Sequence, residues 1–416
     1  MYEILMEAVV AGTNAANARD AVIRNRGAAG IDRMTTEQLA GHLREHWESI
    51  RGKLMAGTYV PAPVKRVEIP KPGGGVRLLG IPTVVDRWVQ QMLLQVLSPI
   101  FDRQFHPSSW GFRPNRGAHD AVKAAQGYIR EGKTWVVDMD ITKFFDHVNH
   151  DILMNRIGKT IRDKRVLRLI GRYLRAGVMV NGVVHDTEEG TPQGGPLSPL
   201  LANIYLDALD QELDRRGLVF SRYADDCNIY CGSKRAAERV MASIVEWIRE
   251  HLRLEVNATK SGVGRPWDRK FLGFRITPQG GIEVSPQSLE RFRTKVRELW
   301  RSCQSVTSNE LRTNWQRYVK GWWGYHRLAT ERKSVFRQEG WIRRHIRKCF
   351  WQRWHDWRGR RRHLKALGLP EAMRKYAHSS AGAWRMAKAE VMHRTLTKRK
   401  LRESGFVMPS DLAATM

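Results

Sequence analysis

The sequence predicts an α+β fold, and three observations carry that prediction. Between about residues 59 and 280, short alternating runs of apolar and polar residues are closed by Gly, Pro or Asn-Gly, the pattern of antiparallel hairpins. Helical runs, with apolar residues three and four apart, lie between those hairpins. Past Gly280 the strands stop, Arg and Trp rise, and only the helical period remains. An antiparallel sheet in the first two thirds should therefore be followed by an all-helical part.

The first fifty residues read as helix, with Leu5, Val9 and Val10 apolar and a glycine-rich turn over Asn25–Asp32. Thr35-Thr36-Glu37-Gln38 restarts a helix with capping chemistry. Tyr59–Pro82 is a basic hairpin turning at Pro72-Gly73-Gly74-Gly75, with Lys65, Arg66, Lys71 and Arg77 around the turn. Its glycines allow an anion close to the backbone, although a merely solvated hairpin has the same composition. Val84–Leu97 is an amphipathic helix, Ser109–Arg116 a loop too rich in Gly and Pro to be regular, and His119–Ile129 a helix leading into a strand that ends at Asp140. Asp151–Leu174 reads as helix, and Val178–Glu188 as a hairpin turning at Asn181-Gly182. In Gly190–Pro199 the paired glycines leave room beside the backbone, where Gln193 offers a neutral donor and acceptor suited to a base or sugar. Ser198 is placed to cap a helix over Leu200–Leu213, with Pro199 at its first position. Leu218–Tyr230 is a hairpin with Asp225 and Asp226 at its tip, followed by a helix over Ala236–Leu252 and a short strand pair at Phe271–Phe274. Ser285-Pro286 opens a capped helix whose Leu289, Phe292, Val296 and Leu299 share one face.

The 416 residues carry a net charge of +29, of which +20 falls after Gly280. Nine of the 15 tryptophans lie in that same stretch. A polyanion is the natural partner of such a chain, because Arg grips phosphate and aromatic rings stack on bases. The four cysteines have no paired spacing, which argues against structural zinc or a disulfide framework and fits a reducing, cytoplasmic location. No apolar run reaches the length of a membrane span, and no signal-peptide pattern opens the chain.

The chemistry concentrates in acids. Asp225-Asp226 alone also suits a plain turn. Adjacent carboxylates repel, however, and hold their charge cheaply when a cation lies between them. Asp140, at the end of the run Trp135–Asp140, adds a third. Such a trio suits two divalent metals that activate an attacking hydroxyl and stabilise the leaving oxygen in phosphoryl transfer.

Taken in order, the motifs resemble those of the reverse transcriptase and maturase proteins of bacterial group II introns. The resemblance rests on Gly30-Ile31-Asp32; Ile69–Gly74 with Arg77 and Gly80-Ile81-Pro82; Gly111-Phe112-Arg113-Pro114; Asp140 with Phe144-Phe145-Asp146; Thr191–Pro199; Tyr223-Ala224-Asp225-Asp226; and Gly321-Trp322. The absence of HNH-type Cys and His pairs makes it most similar to the class C proteins, which lack an endonuclease domain. The resemblance implies a right-hand polymerase: N-terminal extension and fingers over 1–85, fingers and palm over 86–280, a helical thumb or maturase domain over 281–365, and a basic DNA-binding region over 366–416. It implies that Asp140, Asp225 and Asp226 are catalytic and hold Mg²⁺ in a two-metal site. It assigns Lys65, Lys71 and Arg77 to the incoming triphosphate and Phe145 to the pocket that rejects a 2′-hydroxyl. Gln193 falls on a nucleotide and template contact, and Lys260 on the lysine that protonates pyrophosphate. Asp138 and Asp146 fall outside the metal set. Arg113, Arg116, Arg343, Arg344 and Arg347 are the candidates for RNA contact. The expected partners are the intron RNA, an RNA template with a DNA primer, deoxynucleoside triphosphates and target DNA. The expected function is RNA-directed DNA synthesis with assistance to intron splicing during retrotransposition. A relative recruited to DNA repair or phage defence, or a maturase that only binds RNA, are the alternatives.

Overall fold

The computed structural model describes residues 2–70, 75–180, 183–185, 189–191, 194–301 and 306–414. The chain divides into two compact units, Met1–Arg265 and Pro266–Met416.

In the first unit, the N-terminal helices α1 (Met6–Val9), α2 (Gly12–Asn25) and α3 (Leu39–Met55) precede a hairpin of β1 (Val64–Pro70) and β2 (Val76–Ile81). The expected cap forms at Thr35, whose side chain and that of Gln38 exchange bonds with each other's backbone. Helix α4 (Val84–Asp102) starts where Thr83 Oγ1 accepts the Asp86 N–H at 3.1 Å. After α5 (Ala118–Arg130) and β3 (Trp135–Asp140), the stretch expected as one helix is two, α6 (His150–Thr160) and α7 (Lys164–Leu174). The break falls at Asp163, whose carboxylate caps α7 by accepting the Arg165 N–H at 2.9 Å. Strands β4 (Val178–Val180) and β5 (Val183–His185) pair antiparallel, while their turn residues Asn181 and Gly182 lie outside the described residues. Helix α8 (Ser198–Arg215) starts earlier than expected: Leu197 takes the capping position and Ser198 is already helical. Then come β6 (Val219–Tyr223), β7 (Asp226–Cys231), α9 (Lys234–Leu252) and β8 (Gly262–Gly264).

Two sheets result. One has the order β2-β1-β4-β5 and contains a parallel pair, β1 with β4. The other, β6-β7-β3-β8, is antiparallel throughout, and α5, α8 and α9 pack on it. Strand alternation sorts its residues: Val137 and Met139 of β3 are buried in the core while Asp138 and Asp140 stay partly exposed. Cys227 and Cys231 on β7 are buried, as small apolar residues would be.

The second unit opens with the short hairpin β9 (Phe274–Ile276) and β10 (Ile282–Val284). The sequence places a boundary near Gly280, whereas this hairpin belongs to the later unit, where Glu283 bridges to Glu331. Helices α10 (Pro286–Leu299), α11 (Ser308–His326), α12 (Lys333–Phe336), α13 (Glu339–Arg353) and α14 (Trp357–Ala366) follow, then short helices to Ala413. Phe292, Val296, Trp300, Trp315, Trp351 and Trp354 share one core, so these tryptophans are packing residues rather than platforms for bases.

Candidate active site

The acidic residues meet because of strand register. In the antiparallel pair β3–β7, Asp140 lies directly opposite Asp226, and in β6–β7 Tyr223 lies opposite Asp226. Ala224 and Asp225 therefore make a two-residue turn, with Ala224 in the left-handed region at φ +58°. Asp225 and Asp226 are partly exposed beside it. The end of β3 is tied to the segment before β8. The Asp140 N–H donates to Ser261 Oγ at 2.9 Å, and the Asp140 carbonyl accepts the Asn257 N–H at 2.8 Å.

Lys260 joins this group. Its ammonium lies 2.9 Å from Asp140 Oδ2, with both side chains open to solvent. Among the described residues, no three His, Cys, Asp or Glu side chains converge as a ready metal cluster. The arrangement nonetheless fits a hard cation. Its donors are carboxylate oxygens, and a positive group already rests on one of them. Asp138 pairs with Asn228 across the strands, and the Asn228 amide can donate to its Oδ1 at 3.0 Å.

Phe145 follows Asp140 on a short 3₁₀ turn, with its ring edge-on to Phe144 at 5.2 Å. It lines two cavities. The first, about 320 Å³, is also lined by Arg66, Lys143, Gly190 and Thr191. The second, about 670 Å³, includes Asn25, Arg87, Phe112 and Gly195. Gly190 is required where it stands: at φ +91°, a Cβ there would lie 2.9 Å from the Phe145 and Asp146 carbonyl oxygens.

The cationic residues are sorted differently from expectation. Lys65 is exposed on β1 and lines neither cavity, while its strand neighbour Arg66 points the other way and does. Lys143, which the sequence reading passed over, joins it from a left-handed backbone position at φ +42°. Lys71 and Gln193 lie outside the described residues, and Arg77 is described only as the strand partner of Ile69.

Two of the five candidate RNA-binding arginines are corrected. Arg113 is buried, with Nε on Asp102 Oδ1 at 2.7 Å and three further donors on the carbonyls of Asp102, His106 and Ser109. It braces its loop with four of its five donors, and its burial keeps it from phosphate. Arg347 is likewise buried, with Nε and Nη2 on the Leu396 carbonyl at 3.1 and 3.0 Å. Burial, and then Arg343 and Arg344, press its pKa down to about 10. Arg116 remains partly exposed over the Trp110 ring at 5.1 Å. Arg343, 3.5 Å from Glu339, and Arg344, 5.7 Å from the Trp384 ring centre, are also partly exposed.

Comparison with known proteins gives the following. Residues 69–276 match the family described as reverse transcriptase (RNA-dependent DNA polymerase), and residues 289–368 match the group II intron, maturase-specific domain. Protein YkfC of Escherichia coli is 37% identical over 59% of this chain and 75% of its own length. The group II intron-encoded protein LtrA of Lactococcus lactis is 40% identical over 44% of this chain, a match that spans 30% of LtrA. Among solved structures, the telomerase of Candida albicans aligns over 89% of this chain and 67% of its own with 14% identity and a TM-score of 0.45.

Proposed function

The chain belongs to the reverse transcriptase family that carries a group II intron maturase domain, and on that premise we propose that it copies its intron RNA into DNA and assists that RNA's splicing. One observation carries the polymerase reading: β-sheet register sets Asp140 opposite Asp226, with Asp225 at the adjoining turn. Divalent metal ions serve this family generally. Here Asp140, Asp225 and Asp226 would hold two Mg²⁺ ions, which when bound supply charge stabilisation for the attacking and leaving oxygens.

The residues around them have separate tasks. Lys260, paired with Asp140 at 2.9 Å, would neutralise that acid before substrate arrives and then turn toward a departing pyrophosphate. Arg66 and Lys143, with Lys65 and Arg77 of the same hairpin and with Lys71, would offset the charge of an incoming triphosphate. Phe145 forms a wall of the adjoining cavity, where a bulky ring would exclude a sugar's 2′-hydroxyl. In the second unit, Arg343 and Arg344 offer partly exposed cations for RNA phosphate. The intron RNA, a primed RNA template and target DNA are the proposed partners, without a membrane. No helix among the described residues is long and apolar enough to cross one.

Asp225→Asn tests the site. Extension of a primer on an RNA template with Mg²⁺ should vanish while intron RNA binding persists, because the change removes metal charge and none of the basic surface. Extension at a near wild-type rate would sink the assignment.

A further inference from the structure

The structure assigns Arg222 as a positioning residue for the acidic hairpin, an inference that rests on reading Asp225 and Asp226 as metal-holding carboxylates. Arg222 lies on β6, two residues before the left-handed Ala224, and is wholly buried. A guanidinium has five N–H donors in a rigid fork, and here each meets an acceptor. Nε donates to Asp210 Oδ1 at 2.7 Å and Nη2 to Asp210 Oδ2 at 2.5 Å. The second Nη2 donor reaches Ser109 Oγ at 2.8 Å. Nη1 donates to Asn203 Oδ1 at 3.1 Å and to the Ala224 carbonyl at 2.9 Å.

That last bond reaches the turn itself. The Ala224 carbonyl belongs to the peptide that joins Ala224 to Asp225, so its direction sets where Asp225 begins. A non-glycine residue at positive φ costs free energy that its surroundings must offset, and the guanidinium supplies one such contact. The opposite side of the turn is closed by backbone. A Cβ on Gly111 would lie 2.5 Å from the Ala224 nitrogen, and Asn203 Nδ2 holds the Gly111 carbonyl at 2.8 Å. The Arg222 backbone is stitched to the same loop: its N–H donates to Ser108 and its carbonyl accepts the Trp110 N–H, both at 2.9 Å. Arg222, Asp210 and Asn203 thus clamp the hairpin tip between α8 and the 108–113 loop. The Asp210 carboxylate, itself wholly buried, neutralises the clamp, so the cation can serve geometry without withdrawing charge from the metal-holding acids.

Lysine at 222 keeps the charge but has no fork to span Asp210 and Ala224 together. Arg222→Lys and Asn203→Ala should each lower the maximal rate of single-nucleotide addition by about 10–100-fold and raise the Mg²⁺ concentration for half-maximal rate severalfold. Nucleotide KM and affinity for annealed primer–template should stay within about twofold of wild type, since no substrate contact is lost. Rates are measured on the full chain well below each variant's unfolding midpoint, with Asp225→Asn in parallel. If Arg222→Lys fails to fold, Asn203→Ala carries the test, because it leaves the buried ion pair whole. A wild-type rate and Mg²⁺ requirement in a folded variant, with only a lower unfolding midpoint, would make Arg222 a core brace and overturn the inference while Asp225→Asn stays inactive. Activity in Asp225→Asn would instead remove the metal reading on which the inference stands.

Discussion

Phe145 is a single ring shared by two cavities, one lined by the cations Arg66 and Lys143 and the other by Asn25 and Gly195. Shortening it joins the two spaces without removing a charge. Phe145→Val should therefore raise incorporation of ribonucleotides relative to deoxynucleotides, read as the ratio of their kcat/KM values on one primed template. An unchanged ratio would take the ring out of sugar discrimination. At this scale the sequence reveals chemistry better than exposure. That Asp140, Asp225 and Asp226 meet is legible because each stands at or next to the end of a strand, while Arg113 and Arg347 read as phosphate ligands from composition alone. Nothing local distinguishes an arginine that satisfies carbonyls from one that faces water; Leu396, which supplies the carbonyl for Arg347, is remote in sequence.

Helix α7 owes its start, and α1 part of its anchorage, to the buried Asp163. Its Oδ2 accepts the N–H groups of Leu5 at 2.9 Å and Met6 at 3.0 Å, while Oδ1 caps α7. Burial alone would raise its pKa, but bonds from Arg165 and from these backbone groups hold the carboxyl far below the usual range. Asp163→Ala strands several buried donors at once and should cost about 2–4 kcal/mol in urea unfolding. A loss below about 0.5 kcal/mol would show that α1 docks without it. The helix break was visible in principle, since Asp followed by Lys-Arg-Val is a start signal, yet the apolar period of 151–174 runs through it and masks it. The boundary at Arg265 was hidden for a different reason: β9 and β10 read as strands like those before them, and only pairing shows which unit they join.

For the whole molecule, charge governs both partner and pH response. With an excess of +29, affinity for RNA should fall with salt. Replacing Arg343 and Arg344 by Gln should flatten that dependence by up to about 0.7–0.9 log unit per lost phosphate contact, measured by filter binding of intron RNA across a salt series. An unchanged slope would place both in plain solvent. Arg347 is left intact in this test because its removal would unpair the Leu396 carbonyl and confuse folding with binding. The same crowd of cations bears on His345, whose pKa is pushed down to about 4 by burial and then by Lys348, Arg297 and Arg344. Between pH 6.5 and about 4 the unfolded chain takes up this proton and the folded one does not. Stability should therefore fall as pH drops through that window, and His345→Gln should flatten the fall in urea titrations at pH 7 and pH 5. Equal slopes for the two proteins would show that another group carries it.

The facing of Asp140 and Asp226 also limits how the gene can change. Side chains alternate along a strand with a period of two, so one codon gained or lost in frame within β3 or β7 would turn one acid away from the other and expose core residues in its place. Codon gains and losses among descendants of this gene should therefore collect in connecting segments and spare these two strands, even where substitutions at their buried positions are tolerated.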